Sequence, residues 1–116
     1  MHTLIHRSDF VRLATQGHTV SGRGFLIQIL LLPEGTAPRV GFTASKKVGN
    51  AVCRNFAKRR LRVLAQGVQP QVVGDGAHPY HMVLVAKKAL LTLPFAEVET
   101  QFRALHAQMC SKILGQ

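Results

Sequence analysis

Seven of the fifteen basic residues of this chain lie within seventeen consecutive positions, and no other part of the sequence is so well suited to binding a ligand. No Asp or Glu occurs between Gly35 and Gly74, so no acidic residue close in sequence neutralises them. Guanidinium and ammonium groups form charge-assisted hydrogen bonds with phosphate oxygens. The cluster therefore predicts a binding site for a polyanion. Its members are Lys46, Lys47, Arg54, Lys58, Arg59, Arg60 and Arg62.

Most of this cluster falls in a segment whose apolar spacing predicts a helix over residues 50–66. At about 100° per residue, one half of the helix surface carries Val52, Cys53, Phe56, Ala57, Leu61, Val63 and Leu64. The other half carries Arg54, Asn55, Lys58, Arg59 and Arg62. Arg60 falls on the apolar half, where its stem can pass the core to reach solvent. A merely solvated face normally mixes both signs of charge, so polyanion binding is the favoured interpretation.

The connection before this helix has features typical of phosphate binding. Ser45-Lys46-Lys47-Val48-Gly49-Asn50 leads from a strand into the helix and contains a glycine and two lysines. Helix N-termini bind phosphate through free N–H groups and the helix dipole. The G-x-x-x-x-G-K-[ST] spacing of a nucleotide-binding loop is absent, so a small nucleotide is not expected. The pattern favours the phosphate backbone of a nucleic acid.

The sequence predicts no catalytic residues and no metal ligands in the protein itself. A two-metal nuclease site needs several convergent carboxylates. The five acidic residues are instead scattered along the chain, at Asp9, Glu34, Asp75, Glu97 and Glu99. A histidine-dependent ribonuclease would use two histidines as acid and base. The candidates, which we expect to be solvated loop or terminal residues, are His78 with His81 and His2 with His6.

The two cysteines, Cys53 and Cys110, show no zinc-ligand spacing. We expect them to be reduced and to behave as small apolar residues.

The apolar pattern predicts an α+β fold, a two-layer α-β sandwich with element order α-β-β-β-α-β-α and a mixed sheet of about four strands. The first helix is expected over residues 9–16, capped by Ser8, and a short strand is expected around Val20. The remaining expected elements are strands at residues 25–32 and 39–45, the basic helix, a loop at 67–79, a strand at 80–86 and a final helix from Pro94 to about residue 114. The apolar stripe of that helix, from Phe95 to Met109, is expected to be core.

Length and composition fit this single-domain interpretation of residues 1–116. The chain has a mass of 12.7 kDa, a formal charge of +10 and a mean hydropathy of +0.12, which is too apolar for a disordered basic tail. Its longest apolar run, residues 25–32, is interrupted by Gln28 and is too short to span a membrane. No secretory leader is recognisable, so a soluble cytoplasmic protein is expected.

The segment from Arg39 to Arg62 resembles the signature of the bacterial ribonuclease P protein component. That family carries S-K-K-x-G-x-A-V-x-R-N-x-x-K-R-x-x-R, and each specified letter is present here in register. Weaker similarity extends over Asp9-Phe10, Gly17, Phe25 and the late strand. The resemblance implies an α-β sandwich whose basic helix lies in a left-handed β-α-β crossover, although parallel crossovers are almost always right-handed.

The resemblance also implies a function. Family members assist a catalytic RNA that removes the 5′ leader from precursor tRNA, and the RNA performs the chemistry with metal ions. A monomer in a 1:1 complex with the RNA is expected, with Mg²⁺ in the RNA holoenzyme and no cofactor bound by the protein alone. The residues expected to contact the RNA are Lys46, Lys47, Asn50, Arg54, Asn55, Lys58, Arg59 and Arg62.

The resemblance further implies that a cleft between the first helix and the sheet holds the single-stranded leader, and the residues expected there are Phe10, Gln28 and Lys87. The family often has a second aromatic residue where this chain has Ala14, and a tyrosine where it has Gln28. Because base stacking depends on such rings, this cleft should stack fewer bases. The alternative functions are a structural RNA-binding protein of ribosomal type and a histidine-dependent ribonuclease.

Overall fold

A computed structural model describes residues 2–3, 7–33, 39–67, 72–73 and 78–114. Three α-helices, six strands and one short 3-10 helix follow one another along this part of the chain. In chain order they are β1 (His2–Thr3), α1 (Arg7–Gln16), β2 (His18–Ser21), β3 (Phe25–Leu31), β4 (Arg39–Ala44), α2 (Ala51–Gln66), β5 (Val72–Val73), β6 (His78–Ala86), the 3-10 helix (Lys88–Leu91) and α3 (Phe95–Leu114).

The sheet is mixed, with the strand order β1-β4-β6-β3-β2, and β5 pairs with β6 outside this path. The central strand β6 runs antiparallel to β3, from Phe25 opposite Ala86 to Leu31 opposite Tyr80. It runs parallel to β4, so α2 lies in the crossover between two parallel neighbours. The predicted α+β class and the four longer strands are confirmed, while the left hand of the crossover stays a prediction.

The sheet separates two apolar clusters because alternate residues of a strand point to opposite faces. Phe25, Ile27 and Ile29 of β3 pack with residues of α2 and α3 in the larger cluster. Leu30 of β3 packs on the other face with Leu13 of α1. The apolar stripe of α3 is part of the larger cluster, as its spacing predicts.

Gly17 allows α1 to end directly against β3. A Cβ at this position would lie 2.6 Å from the Leu13 carbonyl oxygen and 2.7 Å from that of Ile29. Because both obstacles are backbone atoms, no larger residue fits without moving the helix or the strand. The close approach fixes α1 over the second face of the sheet.

Several boundaries differ from the sequence prediction. Helix α1 begins at Arg7, so Ser8 lies in its first turn and not at the N-cap. The expected loop at residues 67–79 contains β5 and the start of β6, because Val72 pairs with Pro79 and Val73 with His78. The sequence pattern also does not predict the 3-10 helix, which forms where the side chain of Leu90 is buried in the core.

One polar cluster lies within the core. The Tyr80 hydroxyl and His106 Nε2 are 2.9 Å apart, and Cys110 Sγ lies 3.7 Å from the same nitrogen. Burial lowers the pKa of His106 and raises the pKa of Tyr80 and of Cys110. The three groups are therefore held neutral between α3 and the sheet. Both cysteines are free thiols, as expected.

Candidate nucleic-acid interface

Helix α2 presents its cations on one side, although they are not all exposed to the same extent. Asn55, Arg59 and Arg62 are exposed, whereas Arg54 and Lys58 are half-buried. At about 100° per residue these five side chains span a continuous sector of about 140°. The predicted cationic face therefore exists, and Arg54 forms its border with the core.

Arg54 has a buried Nε atom with no hydrogen-bond partner in the described structure. An unpaired buried donor costs free energy, so the position of this guanidinium is not explained by contacts within the described residues. Arg54 thus lies on the predicted side of α2 but is only partly exposed.

The prediction that one whole half of α2 is buried also needs correction. The residues that α2 buries are Ala57, Leu61, Leu64 and Ala65. Three residues predicted to be core, Val52, Phe56 and Val63, are instead exposed. At about 100° per residue they lie about 100–140° from Ala57, and the sheet and the 3-10 helix cover only a narrower stripe.

Arg60 is a structural residue of this helix. Its Nη1 donates hydrogen bonds to the carbonyl oxygens of Leu90 at 3.1 Å and Leu93 at 3.0 Å. Its guanidinium carbon lies 4.7 Å from the ring centre of Phe56 and 5.5 Å from that of Phe95. The expected position on the apolar side is confirmed. Its charged guanidinium, however, connects α2 to the segment before α3 through these hydrogen bonds and ring contacts.

Arg62 is exposed but oriented by an aromatic neighbour. Its guanidinium carbon lies 5.7 Å from the ring centre of Phe42 on β4. Stacking on a ring restricts the side chain without using its hydrogen-bond donors. Arg62 is thus held at the β4 side of the helix with its donors available.

The turn before α2 is built by its own hydrogen bonds. Val48 N–H donates to the Ser45 carbonyl oxygen, and Gly49 N–H donates to that of Lys46. Gly49 has φ of +146°, a conformation that favours glycine. Val48 is buried and anchors the turn, whereas Lys46 and Lys47 are exposed.

Asn50 is the N-cap of α2. Its Oδ1 accepts a hydrogen bond from the Cys53 N–H at 2.9 Å. The cap satisfies one of the free donors of the first turn, while the N–H groups of Ala51 and Val52 have no partner within the helix. The structure thus gives Asn50 a structural role, and its contact with RNA stays a prediction.

The cationic face is not neutralised by the described part of the chain. Among the described residues, the one ion pair joins Glu99 and Arg103 within α3, and its nitrogen and oxygen atoms are 3.8 Å apart. Arg59 and Arg62 have no carboxylate within this distance among those residues. The positive electrostatic potentials of Arg59 and Arg62 therefore add. Together these side chains can bind closely spaced anions such as successive phosphates.

The residues predicted for the leader cleft include Phe10 and Gln28, which lie on the opposite face of the sheet from α2. Phe10 packs there against the cluster of Leu13, Leu30 and Val83. Gln28 is half-buried and lies beside Val83 in the strand register. The structure therefore brings Phe10 and Gln28 to one face, next to the second apolar cluster.

Lys87 differs from these two residues because its ammonium group is already hydrogen-bonded to other residues of the chain. Its Nζ donates to the Ser21 hydroxyl and, at 2.7 Å, to the Gly22 carbonyl oxygen. These bonds join the end of β6 to the turn between β2 and β3. Its assignment to the leader cleft stays a prediction.

The histidine candidates for catalysis are only partly described. His81 is buried in β6, not solvated as expected, and its Nδ1 accepts a hydrogen bond from Arg39 N–H at 3.1 Å. His6 lies outside the described residues, and His2 and His78 are described by their backbone alone. Within the described chain, no three His, Cys, Asp or Glu side chains form a group that could hold a metal ion. Among the same residues, no helix is both long and apolar enough to span a membrane.

The sequence matches known proteins over almost its whole length. Residues 1–110 match the family model described as Ribonuclease P. The ribonuclease P protein component of Symbiobacterium thermophilum is 36% identical over 104 residues, which cover 90% of this chain and 87% of that protein. The one from Geobacter sp. (strain M21) is 37% identical over 110 residues, which cover 94% and 89%.

Solved structures show the same fold. The RNase P protein of Staphylococcus aureus superposes with a TM-score of 0.76 at 22% identity, covering 94% of this chain and 95% of that one. The RNase P protein of Thermotoga maritima gives a TM-score of 0.70 at 21% identity, covering 90% and 94%. With the sequence matches, these results show that the chain belongs to the ribonuclease P protein component family.

Proposed function

We propose that this protein is the accessory subunit of ribonuclease P, a ribonucleoprotein endonuclease that removes the 5′ leader of precursor tRNA. It binds the catalytic RNA through the cationic face of α2 and the turn that carries Lys46 and Lys47. It also contacts the leader, through the cleft between α1 and the sheet. Residues 1–116 act as one RNA-binding domain, a monomer in a 1:1 complex in the cytoplasm.

The observation that supports this proposal best is the exposure of Arg59 and Arg62 without any carboxylate partner in the described chain. Two arginines on adjacent turns can each donate two hydrogen bonds to a phosphate group. Lys58 and Asn55 lie on the same face, one turn nearer the start of the helix, and supply further donors. An RNA backbone, with its regular phosphate spacing, matches this set better than a single small anion.

The proposal assigns the chemical step to the RNA and not to the protein. The five acidic residues are too scattered in sequence to supply a two-metal site, and the Mg²⁺ ions of the holoenzyme are proposed to be held by the RNA. The contribution of this chain is to neutralise RNA phosphates and to position the leader. Both effects lower the ionic strength and the magnesium concentration that the assembly needs.

The leader-binding part of the proposal rests on Phe10 and Gln28. Phe10 is half-buried on the second apolar cluster, so its ring is fixed by packing and retains accessible surface. Aromatic rings bind single-stranded nucleic acids by stacking on bases, and an amide such as that of Gln28 can donate to a base or a phosphate. These residues lie across the sheet from α2, so the leader and the catalytic RNA can be bound at the same time.

A cleavage assay at low magnesium tests the proposed function. Precursor tRNA is incubated with a bacterial ribonuclease P RNA alone, with this protein alone and with both. The proposal predicts faster cleavage with both than with the RNA alone, and none with the protein alone. Equal rates with and without protein would reject the accessory role and, if the protein still binds the RNA, favour a structural RNA-binding protein. Cleavage by the protein alone that is lost in His78→Ala or His81→Ala would favour a histidine-dependent ribonuclease.

A further inference from the structure

Three apolar side chains remain exposed on the outer surface of α2 after the core has formed. Val52 is 77% exposed, Val63 is 43% exposed and Phe56 is 36% exposed. Their positions place them along one side of the helix, next to the cationic face. Exposed apolar groups that line up in this way mark interaction sites more often than isolated ones do. We call Val52, Phe56 and Val63 the outer stripe.

The aromatic member of the outer stripe is held in a fixed position. The guanidinium of Arg60 lies against the Phe56 ring, with 4.7 Å between the guanidinium carbon and the ring centre. That guanidinium is itself bound to the carbonyl oxygens of Leu90 and Leu93. Because the ring is already ordered, little side-chain entropy is lost when a ligand stacks on it.

The charges around Phe56 indicate what kind of ligand fits. Arg59 follows three residues later and is exposed, and no ion pair involving α2 occurs in the described chain. The centres of protein–protein interfaces are depleted of charged residues. Single-stranded nucleic acids are instead bound by aromatic rings for the bases beside cations for the phosphates.

We propose that Phe56 stacks on an unpaired nucleobase of the RNA that binds α2, and that Arg59 contacts a phosphate next to that base. This inference rests on the proposed function, to which it adds a base contact on the side of the helix that the sequence pattern assigns to the core. The outer stripe thus extends the RNA-binding surface beyond the phosphate contacts, and Val52 and Val63 flank the stacked base.

A single-tryptophan variant tests the stacking directly. The chain contains no Trp, so Phe56→Trp introduces a sole tryptophan at the site. The emission of this tryptophan should be strongly quenched when a bacterial ribonuclease P RNA is added at low salt. Val11→Trp, at an exposed position of α1 on the other face of the sheet from α2, is the control and should be quenched much less. Equal quenching of the two variants, or none in Phe56→Trp while the RNA binds, would overturn the proposal.

A second variant measures what the ring contributes to affinity. Phe56→Leu keeps apolar bulk but removes stacking, so its affinity for the RNA should fall about tenfold, with an unchanged salt dependence. Unchanged affinity in a folded Phe56→Leu protein would contradict the inference. If Phe56→Trp emission instead changes with protein concentration in the absence of RNA, the stripe is a contact between copies of the chain, and the inference is wrong. Failure of the unmodified protein to bind the RNA at all would reject the proposed function itself.

Discussion

At the scale of single residues, neighbouring arginines of α2 have different roles. Arg59 is exposed and has no carboxylate partner among the described residues, while Arg60 donates to two carbonyl oxygens and contacts two aromatic rings. The sequence places both in one basic run and cannot show the difference, because Leu90 and Leu93 are distant along the chain. It does indicate that Arg60 departs from the cationic face, since its helical position lies on the apolar side.

Replacing Arg60 should therefore affect stability more than RNA binding. We expect Arg60→Ala to lower the free energy of unfolding by about 1–3 kcal/mol, since it removes two hydrogen bonds from a charged donor. Arg60→Lys should restore only part of this loss, because an ammonium group cannot reproduce the planar contact. Urea denaturation measures the change. Wild-type stability of Arg60→Ala, together with a reduced salt dependence of RNA binding, would show that Arg60 is an RNA contact instead.

Phe10 gives a second prediction at this scale. Phe10→Ala should reduce the preference for precursor tRNA over mature tRNA, with a cost of about 1–3 kcal/mol if one base stacks on the ring. Affinity for the catalytic RNA should stay the same, because α2 lies on the other face of the sheet. Val11→Ala, at an exposed neighbouring position in α1, is the matched control. An equal loss of binding for precursor and mature tRNA would indicate a folding defect and not a leader contact.

At the scale of elements, periodicity predicts which helices and strands form but not how each one is rotated. The order of the longer elements and the burial of Phe102 in α3 are both predictable from apolar spacing. The orientation of α2 is not, because Ala57 and Ala65 let the helix approach the rest of the core along a narrow stripe. Phe56 is therefore excluded from the core despite its hydrophobicity. The 3-10 helix was also unpredictable from local pattern, since Leu90 is fixed by tertiary packing.

The N-terminus of α2 combines a structural and a proposed binding role, and substitutions at Asn50 can separate them. Asn50→Ala should lower the free energy of unfolding by about 1 kcal/mol, because the cap to Cys53 N–H is lost. Asn50→Asp should keep the stability, since aspartate is an equally good cap and its charge suits the helix dipole.

RNA affinity should nevertheless fall in Asn50→Asp, because the carboxylate repels a phosphate at this position. Asn50→Ser keeps a capping oxygen without charge and is the control for this comparison. Undiminished RNA affinity in Asn50→Asp would place the RNA away from the start of α2.

At the scale of the whole molecule, one sheet separates two proposed RNA-binding surfaces. The larger apolar cluster fixes α2 on one face, and the smaller cluster holds Phe10 on the other. The formal charge of +10 predicts attraction to polyanions from any direction, whereas the sheet keeps the two proposed surfaces on opposite faces. Composition alone predicts the attraction to polyanions. The separation of the two surfaces depends on strand order, which a single sequence does not reveal.

The stability of the fold should depend on pH because of the protonation of His106. Burial lowers the pKa of His106 in the folded state, so below about pH 6.5 the unfolded chain takes up a proton more readily than the folded one. The free energy of unfolding should therefore fall as the pH decreases from about 6.5 towards the lowered pKa, by at most about 1.4 kcal/mol per pH unit. Urea denaturation at pH 7.5 and 5.5 measures this decrease.

The decrease should be smaller in His106→Gln, which cannot titrate. At the alkaline end, the raised pKa of Cys110 predicts a loss of stability as the pH rises above the ordinary thiol value. An identical acid-side decrease in the wild type and in His106→Gln would assign it to other groups.

The salt dependence of RNA binding tests the central claim most directly. The affinity for a bacterial ribonuclease P RNA is measured over a series of salt concentrations for the wild type, Arg59→Ala and the control Lys112→Ala. Lys112 is an exposed cation near β2, at the sheet edge away from α2 and β4. If Arg59 neutralises one phosphate, the slope of log affinity against log salt should decrease in magnitude by about 0.7–0.9 in Arg59→Ala and stay unchanged in Lys112→Ala. An unchanged slope in Arg59→Ala, or an equal decrease in both variants, would contradict a specific phosphate-binding face on α2.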